Sequence, residues 1–308
     1  MKKVFIDGSA GTTGLRIFER LSARDDVEIV VLPDDKRKDP VARKTALNSV
    51  DVAFLCLPDD ASREAVAMVE NPNVTVIDAS TAHRTLPDWA YGFPELSTAH
   101  EEKVLASKRI AIPGCHASGF IALVYPLIEK GILDKDVRLT CHSITGYSGG
   151  GKKMIAEYEG EERDVLLGAP RQYALKQTHK HLKEMKAISG IDNEPIFCPI
   201  VSDFYSGMTV TVPLFKADIH GTAEDIKNVY KEKYQGEIVQ YADSVDKDGF
   251  VSGLALSKKD GMLVTLEGND DRILLIACYD NLGKGASGAG IECMNLALGF
   301  PRTKGLVL

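Results

Sequence analysis

The segment Ile112-Pro113-Gly114-Cys115-His116-Ala117-Ser118-Gly119 sets a thiol between a Pro-Gly turn and an apolar run containing Phe120, Ile121, Leu123 and Val124. A cysteine where a loop enters a helix sits near unpaired N–H groups and the positive end of the helix dipole, which favour thiolate over thiol. The same N–H groups can hold an oxyanion. A thiolate attacks an acyl phosphate, expels phosphate and leaves a thioester that accepts hydride from a nicotinamide. Cys115 is therefore the expected nucleophile. Cys56, Cys141, Cys278 and Cys293 lie inside apolar runs and are expected to fill core space.

Such chemistry needs an acid/base group, and the segment Gln177-Thr178-His179-Lys180-His181-Leu182-Lys183-Glu184-Met185 offers two histidines. Thr178 is the expected N-cap of a short helix whose apolar stripe is Leu182, Met185 and Ile188 and whose end is near Gly190. If both histidines are helical, they point roughly 200° apart and cannot face one atom. His179 and His181 both stay as candidates. His83, His100, His116, His142 and His220 are expected to be structural or exposed, although His116 adjoins the nucleophile.

A dinucleotide site is expected at the other end of the chain. Lys3 to Ile6 reads as a strand, and Leu15, Ile17, Phe18 and Leu21 recur at helical intervals. Between them Gly8, Gly11 and Gly14 give a GxxGxxG turn with Thr12 and Thr13 inside it. Glycines there accept positive φ and let a pyrophosphate approach the backbone at a helix N-terminus. The second strand ends in Pro33-Asp34-Asp35-Lys36-Arg37-Lys38. Both signs of charge occur there, but three consecutive basic residues favour a 2′-phosphate and hence NADP, with Arg37 the best donor because its planar fork can bind phosphate twice.

Elements alternate through the first third of the chain. Strands are expected at Val27–Leu32, Val52–Leu57 and Val74–Ile77, with a helix over Ala61–Glu70, a pattern of parallel βαβ units. After Gly114 the pattern changes to longer strands of a mixed or antiparallel sheet, at Leu139–Thr145, Ile196–Val201, Met208–Lys216 and Ile273–Asp280. Gly285 to Leu298 reads as a helix that rejoins the first domain. The expected organisation is residues 1–114 with 284–308 as one domain and 115–283 as a catalytic and oligomerisation domain.

With 308 residues and 44% apolar side chains the chain can bury two cores. A net charge of −7 argues against a nucleic-acid grip. The six cysteines include no CxxC pair, so neither a zinc site nor a disulfide framework is expected, and no metal. Met1 runs directly into a strand without an apolar or Arg-rich leader, so a cytosolic protein with no membrane association is expected.

These residues resemble N-acetyl-gamma-glutamyl-phosphate reductases of arginine biosynthesis, in particular the shorter type. Pro113-Gly114-Cys115 with Ser118-Gly119 is similar to that family's Pro-Gly-Cys, aromatic, variable, Thr-Gly signature, departing from it at His116 and Ser118. Tyr91-Gly92-Phe93-Pro94-Glu95-Leu96, Gly146-Tyr147-Ser148-Gly149-Gly150-Gly151 and Asp280-Asn281-Leu282-Gly283-Lys284-Gly285 also look like family segments. His179-Lys180-His181 resembles the family's His-Arg-His ahead of Pro-Glu, with Lys183 in place of the proline. The resemblance implies an α/β fold: a Rossmann dinucleotide-binding domain plus an α+β catalytic domain of the glyceraldehyde-phosphate/aspartate-semialdehyde dehydrogenase type. It implies NADPH-dependent reductive dephosphorylation of N-acetyl-glutamyl 5-phosphate to the 5-semialdehyde through a Cys115 thioester.

The implied cofactor set is Gly8, Gly11, Thr12, Thr13, Gly14, Arg37, Ser80 and Asn281, the last near the nicotinamide amide. Ser148 and Gly149 suit phosphate, and Arg84 is the candidate clamp for a substrate carboxylate. The implied partners are the acyl phosphate or semialdehyde, phosphate, and other copies of the chain in a dimer or tetramer paired through the second domain's sheet. Two rivals remain: an aspartate-semialdehyde-type dehydrogenase and a non-catalytic NADP-binding regulator.

Overall fold

Four consecutive buried residues, Val4 to Asp7, end the first strand (β1, Lys2–Asp7), the signature of an inner strand covered on both faces. The computed structural model describes residues 1–308 and divides them into two units. The first comprises Met1–Pro94, Thr98–Pro113 and Ala286–Leu306. Its chain continues through α1 (Thr12–Ser22), β2 (Val27–Val30), α2 (Pro40–Asn48), β3 (Val52–Leu55), α3 (Asp59–Met68), β4 (Thr75–Asp78), β5 (Ala90–Tyr91), α4 (Thr98–Ala106) and β6 (Arg109–Ala111). The six strands pair in parallel in the order β2-β1-β3-β4-β6-β5. Sequence periodicity did not announce α2 or α4. Helix α2 has its own start signal: Asp39 accepts from Ala42 N–H and Pro40 occupies the first turn.

The second unit comprises Glu95–Ser97, Gly114–Gly285 and Val307–Leu308. It contains α5 (Cys115–Glu129), β7 (Thr140–Gly146), α6 (Gly151–Glu159), β8 (Arg171–Gln172), α7 (His181–Ser189), β9 (Ile196–Ser202), β10 (Met208–Phe215), α8 (Ala223–Lys233), β11 (Val239–Tyr241), β12 (Met262–Gly268) and β13 (Arg272–Tyr279). The strands form a mixed sheet in the order β11-β12-β13-β10-β7-β9-β8. Helix α5 is buried from His116 to Val124, as an apolar helix must be when apolar all round. It lies on one sheet face, built from Val210 and Val212 of β10 opposite Ala277 and Leu275 of β13. The opposite face carries Ile144, Ile196 and Leu274, all exposed.

Two local expectations need correction. Thr178 does not cap α7, which begins at His181 with Lys180 already in helical conformation. The ring of His179 takes the capping role, its Nδ1 accepting from His181 N–H at 3.3 Å. The chain over Gly283–Ser287 forms a wider π turn, and the final helix (α9, Gly288–Leu298) starts only after it.

Helix α9 completes the first unit. Side chains of β1 and β3 alternate between two cores: Val4, Ile6 and Phe54 meet Ile17 and Leu21 of α1 with Ile291 and Met294 of α9. Phe5, Ala53 and Leu55 meet Ala46 and Leu47 of α2 with Ala65 of α3. Helices on both faces of a parallel sheet make this a doubly wound fold. No helix is long and apolar enough to cross a membrane.

Candidate active site

Cys115 is the first residue of α5, with Gly114 as its N-cap. It is half-buried, whereas the residues on either side of it, from Ala111 to Gly114 and from His116 to Val124, are buried, so the surface opens at Cys115. Gly285 keeps that opening clear, because a side-chain carbon there would come within 3.1 Å of Cys115 Cβ. Two contacts fix the helix start. Gly114 N–H donates to Glu184 Oε1 at 2.8 Å. Tyr279 Oη donates to the Cys115 carbonyl at 2.5 Å and accepts from Gly119 N–H at 3.0 Å. Gly119 must be glycine, since a Cβ would fall 2.7 Å from the Tyr279 ring.

His179, His181 and His116 gather in this unit. Ring centroids are 4.7 Å apart for His179 and His181, 5.6 Å for His116 and His181, and 6.0 Å for His116 and His179. Because His179 precedes the helix, the two expected candidates escape the opposed directions that a shared helix would impose. Burial, and then the charge of Lys180, lower the pKa of His179. His116, expected to be structural or exposed, is buried and hydrogen-bonded to Ser143 Oγ at 2.6 Å and Tyr173 Oη at 2.7 Å. Burial, then the nearby His179, bring its pKa down to about 3. Burial, and then the charge of Cys115, raise the phenol of Tyr173.

Glu184 and Tyr173 did not stand out in the sequence. The i, i+3 spacing from His181 to Glu184 was the available signal, since residues three apart share a helix face. Among the cysteines read as filler, burial pushes the thiol of Cys56 up to about 12 and that of Cys278 up to about 11, and Cys141 higher.

On the strand ends nearby, Asn281 is buried with Oδ1 accepting from Gly207 N–H at 2.9 Å and Nδ2 donating to Ser148 Oγ at 3.0 Å. Asp280 beside it accepts from Ser206 Oγ and from the N–H groups of Lys258, Leu282 and Gly283, which fixes the loop leading to Gly285. Ser148 is buried, and Gly149 next to it is exposed. A second device missed in the sequence is the buried ion pair of Lys284 Nζ with both carboxylate oxygens of Glu95, at 2.6 and 2.8 Å.

In the first unit the glycine turn leaves no room for a side chain at Gly8 or Gly14. Gly8 has φ +87°, and a Cβ there would lie 2.3 Å from the Cys56 carbonyl oxygen; one on Gly14 would lie 2.5 Å from the Gly8 oxygen. Thr12 Oγ1, at the start of α1, is buried without a hydrogen-bond partner. No acidic residue occupies the first turn of that helix, and Thr13 follows on the same turn. Beside the turn is a cavity of about 360 Å³ lined by Asp7, Gly8, Ser9, Arg37, Lys38 and Arg43, among others. Arg43 holds Asp7 in a buried ion pair at 2.8 Å, while Arg37 meets Asp34 in an exposed one at 2.7 Å. A buried hydroxyl without a partner, glycines at two positions where a Cβ would collide, and a largely apolar cavity carrying three basic side chains at the ends of parallel strands fit a dinucleotide.

Ser80 and Arg84 are held within the same unit. Ser80 donates from Oγ to Asp78 Oδ2 at 2.7 Å, and Asp78 also bonds His83 Nδ1 at 2.6 Å. Arg84 is buried, with Nε on the Ile112 carbonyl at 2.9 Å and Nη2 on the Ala79 carbonyl at 2.8 Å, so it ties the ends of β4 and β6 together.

Comparison with known proteins separates fold from family. Residues 3–104 match the semialdehyde dehydrogenase NAD binding domain, and residues 115–281 match the semialdehyde dehydrogenase dimerisation domain. An N-acetyl-gamma-glutamyl-phosphate reductase 2 from Nostoc sp. is 45% identical over 99% of both chains. One from Brucella ovis is 43% identical over 96% of this chain and 99% of its own. The chain belongs to the N-acetyl-gamma-glutamyl-phosphate reductase family. Among solved structures, aspartate semialdehyde dehydrogenase II complexed with ASA from Vibrio cholerae superposes with a TM-score of 0.69 at 16% identity, covering 97% of this chain and 98% of its own. Aspartate semialdehyde dehydrogenase from Francisella tularensis gives 0.71 at 14% identity, covering 96% and 99%. Those likenesses establish the α/β fold, with its Rossmann unit and its mixed-sheet unit. Family membership carries a nicotinamide cofactor and a dimerisation domain with it.

Proposed function

We propose that the chain catalyses NADPH-dependent reductive dephosphorylation of N-acetyl-glutamyl 5-phosphate to the 5-semialdehyde, through a thioester on Cys115. The observation that carries this reading is the half-buried thiol at the N-terminus of α5, with Glu184 of α7 bonded to the residue before it. Thiolate at that position gains from the helix dipole and the first-turn N–H groups. The sulfur bonds to the acyl carbon as the carbon–oxygen bond to phosphate breaks, and phosphate leaves with the bonding pair. When bound, the nicotinamide supplies the hydride that takes the thioester to the aldehyde level. First-turn N–H groups of α5 stabilise the oxyanion of the resulting adduct, and its collapse returns the thiolate.

His181 is assigned the thiol proton. What supports this is that it shares a helix face with Glu184, whose carboxylate bonds the residue before Cys115. His179 supports it as cap and neighbour. Ser148 is assigned the leaving phosphate with Gly149. Its oxygen accepts from Asn281, which leaves the serine proton to donate outward. Asn281 retains a second amide hydrogen for the nicotinamide amide. Arg84 is assigned the substrate carboxylate; its Nε and Nη2 bonds to the Ile112 and Ala79 carbonyls hold the guanidinium in place.

The glycine turn with Thr12 and Thr13 is assigned the pyrophosphate. NADP is preferred over NAD because the cavity beside the turn carries Arg37, Lys38 and Arg43 against one carboxylate, Asp7, already paired with Arg43. Six cysteines with no disulfide among them accord with a reducing cytosol.

Phosphate-dependent reduction of NADP⁺ or NAD⁺, assayed with N-acetyl-glutamate, glutamate and aspartate semialdehydes, tests the reading. Activity is expected with the acetylated substrate and NADP⁺. Preference for aspartate semialdehyde would transfer the chain to that chemistry. Unchanged turnover in Cys115→Ser would remove the thioester altogether.

A further inference from the structure

His116 stands where the family signature described above has an aromatic residue, and its two hydrogen bonds determine a proton inventory next to the nucleophile. Ser143 is fully buried, and its hydroxyl has one partner, His116 Nδ1 at 2.6 Å. The other ring nitrogen meets Tyr173 Oη at 2.7 Å, and that phenol has no other hydrogen-bond partner. Tyr173 is only half-buried. Its phenol is thus one hydrogen bond from the ring of the residue that follows Cys115.

A neutral imidazole donates from one nitrogen and accepts at the other, so the chain of three groups has two orderings. In the first, Tyr173 donates to Nε2 and Nδ1–H donates to Ser143, which strands the serine proton in a fully buried place. In the second, Ser143 donates to Nδ1 and Nε2–H donates to Tyr173, which leaves the phenolic proton at the less buried end of the chain. Stranding a buried donor is the costlier choice. The ring is too deeply buried to charge instead.

We propose that Ser143 and His116 are positioning residues that fix Tyr173 as a hydrogen-bond donor into the Cys115 site, toward the sulfur or the acyl oxygen of a substrate held there. Ser143 lies on β7 opposite Val210, on the sheet face that carries α5, so β7 sets the relay in register with the nucleophile. The catalytic consequence rests on the reductase reading. The tautomer does not.

Long-range ¹H–¹⁵N correlation on the full-length protein labelled at histidine nitrogens tests the ordering, with His116→Gln assigning the resonance. The expected result is a neutral His116 protonated at Nε2 across pH 6 to 8. An Nδ1–H tautomer, or an imidazolium, overturns the proposal even in an enzyme of full activity. The same protein supplies the kinetic arm: Ser143→Ala is expected to lower kcat/KM about tenfold, the worth of one hydrogen bond. In a Tyr173→Phe background the same substitution is expected to cost nothing further. A full additional loss there would show that Ser143 acts through something other than the phenol. If no semialdehyde is a substrate while Nε2–H is found, the reductase reading fails and the relay stands.

Discussion

A neutral imidazole buried one residue from Cys115 makes the protein sensitive to acid. The folded-state pKa of His116 is down at about 3, against an ordinary 6.5, because burial penalises the cation. Below 6.5 the unfolded chain binds a proton that the folded chain refuses, so stability falls as pH drops toward 3; above 6.5 the two states agree and nothing is lost. His116→Phe removes that contribution. The difference in urea unfolding free energy between pH 7.5 and pH 5 is expected to be about 2 kcal/mol larger in the native protein than in the variant. Equal differences would mean that the ring is protonated in place. The sequence made Cys115 conspicuous because a Pro-Gly turn ahead of an apolar helix is a local pattern. Glu184, 70 residues from the glycine it binds, and Tyr173, reached only through His116, have no local pattern to betray them.

Elements were legible where a single period ran for a full turn or more. The inner strands β1, β3 and β4, buried continuously, stood out as apolar runs, and α1 as a stripe through Ile17 and Leu21. Helix α7 was found with its start misplaced by two residues, because the side chain that caps it is an imidazole and the cap rules look for short oxygen-bearing residues. The start of α5 is decided by packing: Tyr279 on β13 reaches between the Cys115 carbonyl and the Gly119 N–H only because residue 119 has no side chain. Gly119→Ala overpacks this point, which typically costs about 1–3 kcal/mol. A lower urea midpoint and a reduced kcat are expected together, since the same phenol holds the first turn of the helix that begins at Cys115. A stable variant with normal turnover would separate Tyr279 from the site.

At the scale of the molecule, the change from alternating short strands and helices to longer strands was visible along the chain, but the strand order of the mixed sheet was not. Neighbours such as β10 and β13 are paired through residues as distant as Met208 and Tyr279, and such pairings leave no trace in a local window. The exposed face of that sheet, with Ile144, Ile196 and Leu274, lies within the stretch that matches a dimerisation domain, which makes it the face on which pairing with a second copy is tested. Ile144→Asp puts a charge in the middle of that face. Sedimentation velocity is expected to show a dimer or tetramer for the native protein and a smaller species for the variant at the same concentration; identical masses would place the interface elsewhere.

The covalent role of Cys115 is open to direct observation. Protein mixed with N-acetyl-glutamyl 5-phosphate in the absence of any dinucleotide, quenched in acid and digested, is expected to yield one acylated peptide by mass spectrometry, modified at Cys115, with release of one equivalent of phosphate. Acylation at another cysteine, or phosphate release with no adduct in an enzyme that turns over normally once NADPH is added, would contradict it.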